Sequence, residues 1–166
     1  MDASYNSDRG TGSTGAIIRD SSGSFIAASS CFIEHVVDAS MAEVIALREG
    51  LLLAQQIGCS RLMIQSDCLE VVETMKQDGI TATASAHVYD ECNQLWQDYV
   101  FIAIEHCNWE ANRVVDEIAR VAITSESSCI WVDEHPSFIL EALVNDVTVP
   151  GDQKKSEKGK ARSIMC

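Results

Sequence analysis

Apolar positions recur along this chain with two different periods, and the changes of period divide it into elements. Residues 15–20 and 25–33 are strand-like runs joined by Ser21-Ser22-Gly23-Ser24, a short polar turn, which predicts a β-hairpin. Ahead of them residues 2–6 read as the end of another strand, followed by a loop of Gly, Ser and Thr. Helical spacing then runs through residues 40–57 and closes at Gly58. Residues 61–66 form a compact apolar strand, 68–77 a helix stopped by Gly79, and 84–99 a second helix with Trp96 near its end. Residues 100–106 are again a strand and 111–123 an amphipathic helix. Antiparallel strands first, then strand and helix in alternation, predict an α/β protein with a mixed sheet; no internal repeat is visible.

Composition allows such a core. The 166 residues make one domain, and 46% hydrophobic with 22% charged residues excludes a disordered chain, a collagen and a coiled coil. Charge changes the picture more: 25 acidic against 12 basic residues give a net of -13, a field that opposes polyanions. It is unevenly spread, because the stretch from Pro150 onward carries five basic and two acidic residues, leaving residues 1–149 with a net of -16. With no apolar residue between Pro150 and Ala161, residues 150–166 read as a flexible basic tail beside a domain at 1–149. There is no apolar run long enough to span a membrane and no signal-peptide pattern at the start, so the expected location is intracellular, nucleus or cytoplasm. The seven cysteines are scattered, odd in number and without a C-x-x-C pair, which predicts reduced, partly buried small hydrophobes.

The chemistry lies in carboxylates. Asp67 follows a strand and precedes a helix, at the carboxyl edge of the sheet where ligands bind, and by itself it reads first as the cap of that helix. Ser40-Met41-Ala42-Glu43 has the form of a capping box. Wound at about 100° per residue, the helix places Ala46, Leu47, Gly50, Ala54 and Ile57 within about 60° of Glu43, so its carboxylate projects from a small apolar face. Buried there, it needs a cation or a proton. Asp116 lies off the apolar arc of its helix, one turn from Asn112, and by itself reads as a solvated face residue. Asp2, beside the start of the chain, reads by itself as frayed chain.

Taken in order, Asp2, Glu43, Asp67 and Asp116 on strand, helix, strand end and late helix resemble the acidic metal site of the ribonuclease H family. The chain is most similar to the plant reverse-transcriptase-like subgroup of type I ribonuclease H domains. The resemblance is carried by Asp2-Ala3-Ser4-Tyr5-Asn6, by Gly15-Ala16-Ile17-Ile18-Arg19-Asp20 with Ser21-Ser22-Gly23 and by Ala42-Glu43-Val44-Ile45-Ala46-Leu47. It continues in Gln65-Ser66-Asp67, in Glu110-Ala111-Asn112-Arg113-Val114-Val115-Asp116-Glu117-Ile118-Ala119, and in the ending from Pro136 through Asp146. It implies a ribonuclease H-like five-stranded mixed sheet, its first three strands antiparallel, flanked by helices. It also implies magnesium-dependent endonucleolytic hydrolysis of the RNA strand of RNA–DNA hybrids. Carried over, Asp2 would bridge two magnesium ions, with manganese as an alternative; Glu43 and Asp67 would complete the first site and Asp116 would help hold the second. Oxygen-only ligands suit such hard cations.

His106, with Asn112 and Asp116 in His-x5-Asn-x3-Asp spacing, matches the family's mobile-loop histidine, and an imidazole can relay protons near neutrality. Its bland reading is a strand-end histidine bonded to backbone. The resemblance also places Ala3, Ser4, Ser40 and Asn112 beside nucleic acid. The implied partner is an RNA–DNA hybrid, with no membrane, a monomeric state and no indicated protein partner. In that fold the first strand is central, yet a single residue precedes Asp2 here, so the strand reads as truncated. That feature and the acidic surface carry a second reading from another class: a retroelement-derived module that binds nucleic acid or protein without cleaving.

Overall fold

A computed structural model describes residues 1–77, 84–108, 112–140 and 162–165. The expected helix stop at Gly79, Trp109, the first residue of the helix expected at 111–123, and residues 141–161 of the family-like ending and the tail lie outside the described residues.

The chain opens with a three-stranded meander, β1 (Asp2–Asn6), β2 (Thr11–Arg19) and β3 (Phe25–Ile33). The first turn is held by the Asn6 side chain, whose Oδ1 accepts from the amides of Asp8 and Arg9 at 3.1 and 3.2 Å. The second is held by Asp20, whose Oδ1 accepts from the amides of Ser22 and Ser24 at 2.8 and 2.9 Å, with Gly23 at φ 84. Helix α1 (Ala39–Gln56) follows, then β4 (Arg61–Ser66), α2 (Leu69–Lys76), α3 (Ala86–Trp96), β5 (Phe101–His106) and α4 (Arg113–Ser125). β4 and β5 run parallel in register from Arg61 opposite Phe101 to Ser66 opposite His106. Gly58, at φ 72, lets Cys59 donate back to Ala54 and ends α1 as expected.

All five expected strands are present, and the sheet has two more. β6 (Cys129–Val132) pairs antiparallel with β3 at one edge, and β7 (Arg162–Met165) lies between β2 and β4. Arg162–Met165, within the residues expected as a tail, form this last strand, where Ile164 and Met165 restore apolar character to a Lys- and Gly-rich stretch. Residues 11–14 also differ from expectation, being the first half of β2 instead of a loop. Two of their small polar side chains are buried, Ser13 and Thr14 at 0% and 2% exposed, and Ser13 Oγ donates to the Ala119 carbonyl of α4 at 2.7 Å. A satisfied hydroxyl can be buried cheaply, and the Gly-Ser-Thr composition conceals that.

α1 and α4 both pack on β2, which is buried at every position after Thr11, as a strand covered on both faces must be. α1 is itself buried nearly all round, through Ala42, Val44, Ile45, Ala46, Leu47, Gly50, Leu51, Leu53 and Ala54. The tightest approach is at Gly15, where an added Cβ would stand 2.5 Å from the Val115 carbonyl oxygen and 3.0 Å from the Ala119 amide nitrogen of α4. Gly15 is also the β2 partner of Asp2, so this contact sets the depth at which both β1 and α4 sit. Gly15→Ala is expected to push α4 off the sheet and destabilise the fold by about 1–3 kcal/mol, read as a lowered midpoint in denaturant unfolding.

Candidate metal centre

Three elements converge at one end of the central strands. β4 delivers Asp67 immediately beyond its last residue, β1 begins at Asp2, and the second turn of α1 presents Glu43. One carboxylate oxygen from each of the three lies within 4.8 Å of the others. The local structure that does this differs from the capping pattern expected at two places. α1 is capped by Asp38, which accepts from the Met41 amide at 2.8 Å, so Ser40 stands inside the first turn and Glu43 is free of a capping box. Asp67 does not cap α2 either, because Cys68 occupies that position and takes its amide bond to Ser66 Oγ at 3.2 Å. Neither carboxylate caps a helix: Asp38 caps α1, α2 starts at Cys68 without a side-chain cap, and both acids are left for the site.

The remaining expected residues arrange around this trio. Asn112 heads α4, is 1% exposed, and gives its amide to Asp67 Oδ1 at 2.9 Å and to the Met1 carbonyl at 3.5 Å. Its side-chain amide is thus committed to Asp67 and the Met1 carbonyl. Asp116 is on the exposed side of the first turn of α4, outside the trio, yet its charge raises the proton affinity of Asp2. His106 ends β5 and is exposed, with Nε2 3.2 Å from the Asp67 carbonyl oxygen, to which it donates when that nitrogen is protonated. Ala3 and Ser4 are half-buried on β1, and Ser40 is half-buried one turn before Glu43. Residue-by-residue reading missed the α-ammonium of Met1, which is buried against the trio, donates to the Gln65 carbonyl at 3.4 Å and is lowered to about 5 by burial. No motif carries a backbone amine, so no sequence signal points to it.

Burial and mutual repulsion govern the electrostatics. Glu43 is pushed up to about 8, first by burial and then by the charges of Asp2 and Asp67. Asp2 is pushed up to about 6 by burial and by Asp67. Glu43 Oε2 and Asn112 Oδ1 are buried acceptors with no hydrogen-bond partner. Two orphaned oxygens beside three crowded carboxylates form a donor set that a hard divalent cation satisfies: all oxygen, anionic, with no thiolate or imidazole in the group.

Fold and cluster together define a ribonuclease H-like domain with an acidic, cation-ready centre. The chain belongs to the reverse transcriptase-like family, whose model matches residues 1–122. No curated protein matches the sequence. Among solved structures it is similar to RNase H1 from the halophilic archaeon Halobacterium salinarum NRC-1, at 17% identity and a TM-score of 0.69 over 76% of this chain and 95% of that one. The N-terminal RNase H domain of a Mycobacterium tuberculosis protein is similar at 21% identity and a TM-score of 0.69, over 75% and 90%. LC11-RNase H1, solved in complex with an RNA/DNA hybrid, is similar at 20% identity and a TM-score of 0.68, over 75% and 94%. At these identities the likeness is one of fold.

The raised proton affinity of Glu43 gives a signed pH dependence. Between the ordinary carboxylate range and about 8 the native state holds a proton that the unfolded chain has lost, so metal-free stability attributable to Glu43 falls as pH rises. The Met1 amine acts in the opposite sense between about 5 and 8, so the wild type must be compared with a variant that shares it. In chelator, Glu43→Gln is expected to melt above the wild type by a margin that grows from pH 5 to pH 8. Thermal scans showing the same margin at both pH values would contradict this.

Proposed function

We propose that this chain is a magnesium-dependent ribonuclease H that cuts the RNA strand of RNA–DNA hybrids. The observation that carries the reading is the Asp2, Glu43 and Asp67 trio at the strand ends of a ribonuclease H-like sheet. A similar fold, LC11-RNase H1, is known in complex with an RNA/DNA hybrid, which supports the same class of substrate here.

Asp2, Glu43 and Asp67 would hold one ion, and Asp2 with Asp116 a second, with manganese as an alternative metal. Bound there, such ions activate the attacking water and stabilise the leaving 3′ oxygen of an in-line displacement. The chain's own residues do the rest. Asn112 fixes the rotamer of Asp67 through its amide, so one acceptor direction is spent on positioning and the others stay turned toward the site. Burial of Glu43 and Asp2 keeps water out and makes the pair demand positive charge at neutral pH. His106, exposed at the end of β5, is placed to carry protons between the site and solvent. Ala3, Ser4 and Ser40, half-buried beside the trio, supply backbone and hydroxyl contacts to the hybrid.

Attraction for the hybrid is local. The net charge of -13 repels a polyanion at long range, whereas cations in the trio reverse the field where the scissile phosphate must sit. Incubating an end-labelled RNA–DNA hybrid with the protein and magnesium is expected to give RNA cleavage that chelator abolishes and Asp67→Asn lowers at least about 100-fold. An intact hybrid, or equal cutting by Asp67→Asn, would sink the reading.

A further inference from the structure

β6 is the outermost strand of the sheet beside β3, and among the described residues no strand pairs with its other edge. Its hydrogen bonds fix which residues face outward. The Asp133 amide donates to the Ile26 carbonyl at 2.8 Å, across the pair that continues the register of Val132 with Ala27 and Trp131 with Ala28. Antiparallel ladders alternate, so Asp133, Trp131 and Cys129 turn their backbone groups to β3, whereas Ile130 and Val132 turn theirs to the outer edge. The Val132 carbonyl accepts from the Glu134 amide at 2.8 Å, in the turn where Asp133 stands at φ 64, which leaves the Ile130 and Val132 amides and the Ile130 carbonyl facing outward. Side chains alternate as well. Trp131 lies on one face, edge-on to Phe138 with ring centroids 5.9 Å apart. Ile130 and Val132 lie on the other, 56% and 50% exposed, and with Ile26, Leu53 and Ile57 they line a groove of about 480 Å³ between β6 and the end of α1.

We propose that this edge is a docking site for an extended segment of a partner protein, one that pairs antiparallel with β6, sets apolar side chains at alternate positions into the groove and carries lysine or arginine ahead of them. The outward backbone groups and the groove belong to the same two residues, so a strand that pairs with the edge delivers its own side chains onto Ile130 and Val132. Exposed edges are normally guarded by a lysine, a proline or a bulge. β6 has none of these: Cys-Ile-Trp-Val is apolar throughout, its register with β3 is unbroken, and no lysine or arginine occurs from Val121 to Val149. Charge selects the occupant. Asp133 and Glu134 are exposed where β6 ends, which is where an antiparallel strand begins, so cationic residues ahead of the apolar ones meet them. A second copy of this chain brings a net of -13 to the same edge and is repelled where a basic segment is drawn in. β2 and β3 separate β6 from β4, so the site stands apart from the carboxylate trio and does not depend on the nuclease reading.

Fluorescence anisotropy of a labelled peptide, Lys-Lys-Thr-Val-Thr-Val-Thr, titrated with the full chain tests this. Saturable binding is expected, with hydrogen exchange of the Ile130 and Val132 amides slowed tenfold or more in the complex. Replacing the two lysines of the peptide with glutamate should weaken binding tenfold or more. So should Ile130→Lys, which puts a charge in the groove, and Val132→Pro, which removes an outward donor without touching the β3 ladder. Unchanged amide protection at Ile17 and Ile18 shows that a variant is folded, and the glutamate peptide decides where one is not. No binding, equal binding of the glutamate peptide, or equal binding by both folded variants overturns the proposal. Ile130 and Val132 amides already protected in the free chain overturn it too: protection that falls on dilution assigns the edge to a second copy, and protection that dilution leaves intact assigns it to another segment of the same chain.

Discussion

Three carboxylates held within 4.8 Å of one another, largely out of water, are the constraint on which the rest of this structure turns. Left to themselves they would separate or take up protons, and the raised proton affinities of Asp2 and Glu43 record that pressure. Holding them requires a frame whose members cannot slide: a strand start, a strand end and a helix, each pinned independently. Gly15 fixes β1 against β2 and admits α4 closely, Asp38 fixes the start of α1, and Ser66 and Asn112 fix the turn that carries Asp67. The surrounding core supplies rigidity that the site itself cannot, because every interaction among its three acids is repulsive until a cation arrives.

Seen this way, the caps explain what sequence could and could not disclose. Ser40 and Glu43 have the spacing of a capping box, and Asp67 stands where an N-cap is expected, so local propensity alone assigns both acids to helix ends. In the folded chain Asp38 caps α1, two residues before Ser40, and Cys68 stands at the start of α2, one residue after Asp67. Helix starts are ambiguous by a residue or two wherever several cap-forming residues are adjacent, as in Asp38-Ala39-Ser40. Element types survived this ambiguity because hydrophobic period is set over many residues. Asp2, Glu43 and Asp67 meet regardless, since order along a fold does not depend on which residue caps a helix.

What periodicity cannot reach is pairing between distant segments. β6 and β7 each have four residues, too few for a two-residue period to stand out. The Thr11–Thr14 stretch is hidden for another reason: the Ser13 hydroxyl is satisfied inside the core, so composition reads as loop where geometry is strand. Asn112 shows the same limit at the site. Its spacing from His106 and Asp116 is legible, but its 1% exposure and its bond to Asp67 follow from the packing of α4.

Charge joins these threads. A net of -16 over residues 1–149 is a poor approach surface for a polyanion, and nothing in the helices between β4 and β5 offsets it: α2 has one lysine and α3 none. The basic residues between Pro150 and Arg162 are the exception, and β7 ties the end of that stretch into the sheet between β2 and β4. Screening falls off over about 10 Å at ordinary ionic strength, so only charge kept close can act on a bound phosphate backbone.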